Sequence, residues 1–172
     1  MTTGWRIRDG RPDDGAAMLA IHVAAIMAVD QSIYSAELLR SWAHGLTAEG
    51  YAASMRDGEE FEIALDGGGR PIAFCGAKNG EVFGLYVHPD AQLSGIGAAL
   101  LMRGERRARR QRPDADHLPL SASLNAIPFY QKHGYRLMRI ESRPSRGGLP
   151  MDAACMSKPI DMVAPAESSP RE

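Results

Sequence analysis

Leu85-Tyr86-Val87-His88-Pro89-Asp90-Ala91-Gln92-Leu93-Ser94-Gly95-Ile96-Gly97-Ala98 reads as the end of a strand, a polar turn, and a helix opened by two glycines. The first N–H groups of a helix have no intrahelical partner, and the helix dipole is positive there. Gly95 and Gly97 remove the Cβ atoms that would hold a ligand off the backbone. A pyrophosphate is an anion that such an end suits. Two nucleotide-binding patterns compete for these residues. A Walker loop needs Lys followed by Ser or Thr after its glycines, where Ala98-Ala99 stand. A dinucleotide fingerprint needs a third glycine, where Leu100 stands, and Asp114 and Asp116 precede a strand rather than end one. A plain glycine-rich helix start is the remaining reading.

Outward from this stretch the pattern changes period. Trp5-Arg6-Ile7-Arg8 alternates as a short strand. Pro12-Asp13-Asp14 is a helix start, with acids that suit the positive end of the dipole, and that helix runs to about Val29. Ser35-Ala36-Glu37 opens a second helix carrying Leu38, Leu39 and Trp42, and a third helical piece covers Ala48–Met55. Phe61–Leu65, Pro71–Ala77 and Val82–Val87 are apolar runs joined by Gly67-Gly68-Gly69 and Asn79-Gly80, which predicts an antiparallel meander. Downstream come a helix from about Gly95 to Arg110, a strand near His117–Ala122, a helix over Asn125–Lys132, and closing strands at Tyr135–Glu141 and Ala153–Ser157. The order β-α-α-β-β-β-α-β-α-β-β predicts an α/β (α+β) fold: a single mixed, mostly antiparallel sheet of about seven strands flanked by helices. From Pro159 the chain has prolines and serines without periodicity, so a disordered tail is expected after a domain spanning residues 1–158.

A length of 172 residues favours one compact domain. With 44% hydrophobic and 24% charged residues, the chain has the apolar mass for a core. A formal net charge of -1 gives no bias toward nucleic acid or an anionic membrane, and neither is expected as a partner. Cys75 and Cys155 sit in no CxxC or Cys/His spacing, so neither a disulfide framework nor a zinc site is read, and both are expected to be reduced, buried thiols. His22, His44, His88, His117 and His133 share no metal spacing, and no metal is expected. Met1–Asp9 has no apolar core of a secretory signal. The longest apolar stretch, Ala16–Val29, is shorter than the about 20 residues that span a bilayer. A cytoplasmic location is the expectation. Arg103, Arg106, Arg107, Arg109, Arg110 and Arg112 crowd one helix and are read as a solvated face, with contact to an adenosine phosphate as the functional alternative.

Gln92-Leu93-Ser94-Gly95-Ile96-Gly97 resembles motif A of the GNAT acyltransferase superfamily, Gln/Arg-x-x-Gly-x-Gly/Ala. Leu85-Tyr86-Val87-x-Pro89 looks like that family's fourth strand and its exit. Ala126-Ile127-Pro128-Phe129-Tyr130-Gln131-Lys132-His133-Gly134-Tyr135 is similar to motif B, Ala-x-x-Phe-Tyr-x-x-x-Gly-Phe/Tyr. The resemblance runs from about Trp5 to Lys158 and is densest over Val82–Tyr135. It implies a GNAT fold with a splay after the fourth strand, acetyl-CoA as co-substrate, and N-acyl transfer. On this resemblance Gln92 heads a loop whose N–H groups, from Leu93, Ser94, Gly95, Ile96, Gly97 and Ala98, bind the pyrophosphate. Leu85, Tyr86 and Val87 pair with the pantetheine arm like an added strand, and the Val87 N–H donates to the thioester carbonyl. Tyr34-Ser35-x-Glu37-x-Leu39-x-x-Trp42 looks like a small bacterial branch of the family. Two positions depart from the pattern. Leu93 and Ser94 stand where the family often has Arg, which removes a positive charge from the phosphates. Ser123 stands where many members place an Asn on pantetheine, and its hydroxyl can still donate.

N-acyl transfer makes three demands. The amine must be neutral although an alkyl amine has a pKa of about 10.4. The tetrahedral oxygen needs a donor, and the leaving thiolate needs a proton. The resemblance implies that Tyr130 lies beside the thioester sulfur, where a phenol can donate; the structural alternative is an amphipathic aromatic next to Phe129. Glu81 is the candidate base, as a glutamate is in some family members; the alternative is an exposed carboxylate after the Asn79-Gly80 turn, and a one-residue slip would turn it to the other face. The acceptor, a primary amine on a small molecule or a protein, is expected between the first two helices and the loop Arg143–Pro150, lined by Asp30, Tyr34 and Trp42. A homodimer is left open. A catalytically silent acyl-CoA-binding sensor or regulatory module is the alternative from another class, and a nucleotide-binding domain is a third.

Overall fold

The computed structural model describes residues 4–160. Asn79 and Gly80 both adopt positive φ, 53° and 83°, the geometry of a two-residue hairpin turn. That turn sets Lys78 opposite Glu81 and joins β3 (Pro71–Lys78) to β4 (Glu81–Val87). With β2 (Glu60–Leu65) they form the expected meander, and β1 (Arg6–Asp9) adds to the outer edge of β2. A second sheet holds β5 (His117–Ser123), β6 (Arg136–Pro144) and β7 (Pro150–Pro159) in the order 5-7-6. All pairings in both sheets are antiparallel. The expected seven strands are therefore present but divided: the single sheet is split between β4 and β5, which adjoin without a shared ladder. Side-chain alternation marks a strand but not which of its edges is paired, so it is the motif resemblance, with its splay after the fourth strand, that places the split where it is found.

Alternation along the meander sends Phe61, Ile63, Leu65 and Phe74 to one face, against α1 (Gly15–Met27) and α3 (Ala48–Arg56). Ala64, Ala73 and Cys75 face α4 (Ile96–Gln111) on the other. α2 (Ala36–Ala43) packs on α1. Ser35 and Thr47 cap α2 and α3, their hydroxyls accepting the N–H groups of Leu38 and Gly50 at 3.2 and 3.1 Å. Pro12–Asp14 forms a separate 3-10 turn ahead of α1. There the Asp14 carboxylate accepts the Arg11 N–H at 2.7 Å and both ends of the Arg8 guanidinium.

The arginine run on α4 is only partly the solvated face expected. Arg103 and Arg107 bind the two oxygens of Glu62 at 2.9 and 2.8 Å, and Glu62 is 3% exposed. Arg107 also reaches Asp9 and Glu60. A buried carboxylate needs such partners, and residues one turn apart on α4 supply them. Arg106, Arg109, Arg110 and Arg112 remain exposed. Cys75 is a buried free thiol as expected, whereas Cys155 is only half-buried. Pro159 closes β7 and the Ile160 N–H bonds the Asp116 carbonyl at 2.8 Å, so the ordered chain passes the expected start of the tail. The rest of that tail lies outside the described residues. Among the described residues no helix is long and apolar enough to cross a membrane.

Candidate active site

A cleft of about 630 Å³ opens where β4 and β5 part, walled by the end of β4, the start of α4, and residues from Ser123 to His133. The His88 N–H reaches the Ile72 carbonyl at 2.9 Å. By antiparallel alternation the amides of Val87 and Leu85, paired in register with Ala73 and Cys75, point away from β3 toward the gap. The open edge of β4 is thus a free row of backbone donors and acceptors.

The chain then coils before entering α4. Leu93 has φ 62° with its side chain fully exposed, and Gly95 has φ 80°. A non-glycine residue in that region is uncommon, and successive amides curled this way form an anion-binding concavity. The Ser94 hydroxyl ties the coil by donating to the Ala91 carbonyl at 2.6 Å. The first α4 hydrogen bond runs from Ala99 N–H to the Gly95 carbonyl, 3.2 Å, so the N–H groups of Ile96, Gly97 and Ala98 precede the ladder. A Cβ on Gly95 would meet nothing within 4 Å, so the glycine serves the backbone conformation and keeps the cleft open. Ser94 and Ile96, expected on this wall, do not line the cleft: the Ser94 hydroxyl is spent on the coil and the Ile96 side chain is core.

Of the expected donor-side residues, Leu85, Tyr86, Val87, Gln92, Leu93, Gly95, Gly97, Ala98, Ser123 and Tyr130 all line the cleft. Tyr130 is 7% exposed, with Phe129 and Tyr135 edge-on to its ring at centroid distances of 5.2 and 5.6 Å. Burial drives its phenol well above the ordinary tyrosine range, so it holds its proton at neutral pH. Sequence reasoning missed Asn125, Lys132 and His133, which line the same cleft. Lys132 brings a cation to a cleft whose motif lacks arginine. His133 Nδ1 lies 2.8 Å from the Phe129 carbonyl, which can only accept, so Nδ1 carries the hydrogen.

Trp42 and Tyr86 line this cleft and also a second chamber of about 350 Å³ on the α1 side of β4. His22, Tyr51, Glu59 and Arg146 bring polar groups to that chamber. Glu59 Oε1 lies over Gly76, 2.5 Å from where a Cβ would stand, so the glycine makes room for the carboxylate. Burial raises the Glu59 carboxyl above its usual range. His22 stacks on Tyr86 with ring centroids 3.7 Å apart, and its Nδ1 shares a 2.8 Å hydrogen bond with the Tyr51 hydroxyl. Burial lowers the His22 pKa to about 3 and raises that of Tyr51 to about 12, so both are neutral.

Three expected residues stand elsewhere. Glu81 lies at the end of β4 opposite Val87, beside Ser121 and Arg143, and lines neither cavity. Six residue steps of about 3.3 Å each separate it from Val87. Asp30 is exposed and accepts the Ser32 N–H at 2.8 Å, closing a turn after α1. Tyr34 is buried as a bolt: its hydroxyl donates to the Asp152 carbonyl at 2.6 Å and accepts the Leu124 N–H at 2.8 Å. Of the acceptor-side expectations, Trp42 alone lines a cavity. The loop expected opposite it does dock on α2, with Gly147 N–H on the Ser41 carbonyl at 2.8 Å.

The profile described as "Acetyltransferase (GNAT) domain" matches residues 30–152. The chain is similar to the uncharacterized N-acetyltransferase YafP of Escherichia coli (strain K12), 20% identical over 142 residues that cover 83% of this chain and 88% of that protein. Among solved structures it is similar to a GCN5-related N-acetyltransferase from Rhodopseudomonas palustris, with TM-score 0.82, 29% identity, and 93% and 99% of the two chains covered. It also shares the fold of yncA from Salmonella typhimurium, solved with its cofactor acetyl-CoA, with TM-score 0.64, 18% identity, and 97% and 100% covered.

Proposed function

Because the chain belongs to the GNAT acetyltransferase family, we propose that it moves an acetyl group from acetyl-CoA to a primary amine by direct attack on the thioester. The observation that carries this reading is the convergence, in one cleft, of a helix start free of side chains, an unpaired β4 edge and a buried, protonated phenol. The diphosphate sits on the N–H groups from Leu93 to Ala98, and the pantetheine arm lies along Leu85–Val87 with Ser123 across from it. The Val87 N–H donates to the thioester carbonyl oxygen and stabilises the charge that develops there.

The amine enters from the second chamber past Trp42 and Tyr86. Its nitrogen bonds to the carbonyl carbon, the C–S bond breaks, and the sulfur takes the Tyr130 proton. The proton lost by the amine passes to Glu59 and on to solvent, from which Tyr130 recovers its own. The role expected for Glu81 goes to Glu59 because Glu59 lines the acceptor chamber and Glu81 does not.

Free-thiol release from acetyl-CoA with a panel of amines tests the reading, alongside calorimetry of coenzyme A with the wild type and Gly95→Glu. Transfer, with CoA binding lost in the variant, is the expected result. Tight CoA binding without transfer to any amine would instead establish a sensor, and an undisturbed Gly95→Glu would remove the CoA site altogether.

A further inference from the structure

The second chamber carries both signs of charge. Glu59 brings a carboxylate and Arg146 a guanidinium to the same space of about 350 Å³. Among the described residues, no ion pair involves either of them. Several carboxylates that pack into the fold behave differently. Glu62, Asp14, Glu105 and Glu141 all hold a cation.

Arg146 is fixed without being neutralised. Its Nε and Nη2 donate to the carbonyls of His44 and Gly45 at 3.0 and 3.2 Å, just past the end of α2. The loop that carries it is tied to α2 through the Gly147 N–H and through a 2.7 Å hydrogen bond between the hydroxyls of Ser41 and Ser145. Gly147 lies so close that a Cβ would stand 2.5 Å from the Ser41 hydroxyl oxygen. Two carbonyls therefore orient the guanidinium fork and leave Nη1 uncommitted. The fork matches a carboxylate or phosphonate in shape and charge. His22, which lines the same chamber, is neutral, so Arg146 is the cation there.

An acceptor with an amine alone engages Glu59 and leaves the guanidinium unmatched. We infer that the acceptor is a small zwitterion, a primary amine whose own carboxylate, phosphonate or sulfonate is gripped by Arg146 while its nitrogen faces Glu59 and the donor cleft. This rests on the acetyl-transfer reading above. The chamber is of a size for a free amino acid or a close analogue, and a lysine side chain of a folded protein would bring no anion to meet Arg146.

The test uses matched pairs: free amino acids, taurine and aminoalkylphosphonates against the corresponding amines or methyl esters that lack the anion. Thiol release from acetyl-CoA gives kcat/KM for each, and calorimetry on the CoA-bound protein gives affinity without turnover. The expected result is a preference of tenfold or more for the anion-bearing member of a pair. In Arg146→Ala that ratio falls tenfold or more, mainly through KM, and Arg146→Lys restores part of it. Should Arg146→Ala fail to fold, Arg146→Gln and Arg146→Lys carry the same comparison. A wild-type ratio near one, or a ratio unmoved by substitution at Arg146, overturns the inference even where acetyl transfer is robust. Arg146-dependent binding of anion-bearing amines without any transfer upholds the inference and defeats the enzymatic reading instead.

Discussion

Burial holds the Tyr130 phenol in its protonated form at the wall of the cleft, and the proposed reaction gives that proton to the departing thiolate. Tyr130→Phe keeps the ring against Phe129 and Tyr135 and removes only the hydroxyl. Turnover should drop more than tenfold while the CoA dissociation constant, read by calorimetry, changes little; near-wild-type turnover would make the residue a packing aromatic. Glu59 makes a second claim at this scale. A base must be ionised, and burial favours its neutral form, so kcat/KM should fall with decreasing pH through a value above the ordinary glutamate pKa of about 4.3. Glu59→Gln should erase that acid limb and slow turnover at least tenfold, whereas Glu81→Gln should leave the limb where it is. Persistence of the limb in Glu59→Gln would send the search for the base elsewhere.

Elements show where the sequence speaks and where it is silent. The Asn79-Gly80 hairpin was legible because only a few residue pairs accept two positive φ values in succession. The start of α4 was legible to within one residue, since Gly95 caps the helix in the left-handed region and Ile96 begins it. The Arg103 and Arg107 contacts were not legible, because a helical arginine reads as solvated until the strand beneath it presents a buried Glu62. Gly104, inside the buried stripe of α4, yields a prediction of the same kind. A Cβ there would lie 2.6 Å from Cys75 Sγ and 3.5 Å from Val82. Alanine gains up to about 1 kcal/mol of helix propensity, against overpacking that costs about 1–3 kcal/mol. Gly104→Ala should therefore lower the urea midpoint, and adding Cys75→Ala should recover part of the loss. A more stable Gly104→Ala would mean that α4 can lift from the sheet at little cost.

Across the whole molecule, the second chamber draws on α1, α3, the residues that enter β2 and the β6–β7 loop, so His22, Tyr51, Glu59 and Arg146 share no local motif that a sequence could display. In the sequence His22 stands inside the apolar stretch Ala16–Val29 and shares no metal spacing with the other histidines. The fold packs its ring on Tyr86, gives its Nδ1 to Tyr51, and leaves Nε2 buried without a partner among the described residues. Burial holds its pKa at about 3, against 6.5 for an unperturbed histidine. The unfolded chain therefore binds a proton between these values that the folded chain refuses. With more protons on the unfolded state, stability rises with pH across that window and falls as pH drops from 6.5 toward 3. At pH 5 this single group costs up to about 2 kcal/mol relative to pH 7. The carboxylates held low by their partners, Asp14 and Glu60 among them, lose their contributions only at still lower pH. Urea unfolding of the wild type and His22→Gln at pH 7 and pH 5 isolates the histidine, because the raised carboxyls Glu59 and Glu81 contribute alike to both proteins. The wild type should lose markedly more stability between the two than His22→Gln, whose side chain cannot take the proton. Equal losses in the two proteins would mean that water already reaches the imidazole, and that a second cation can join Arg146 in the chamber under mild acid.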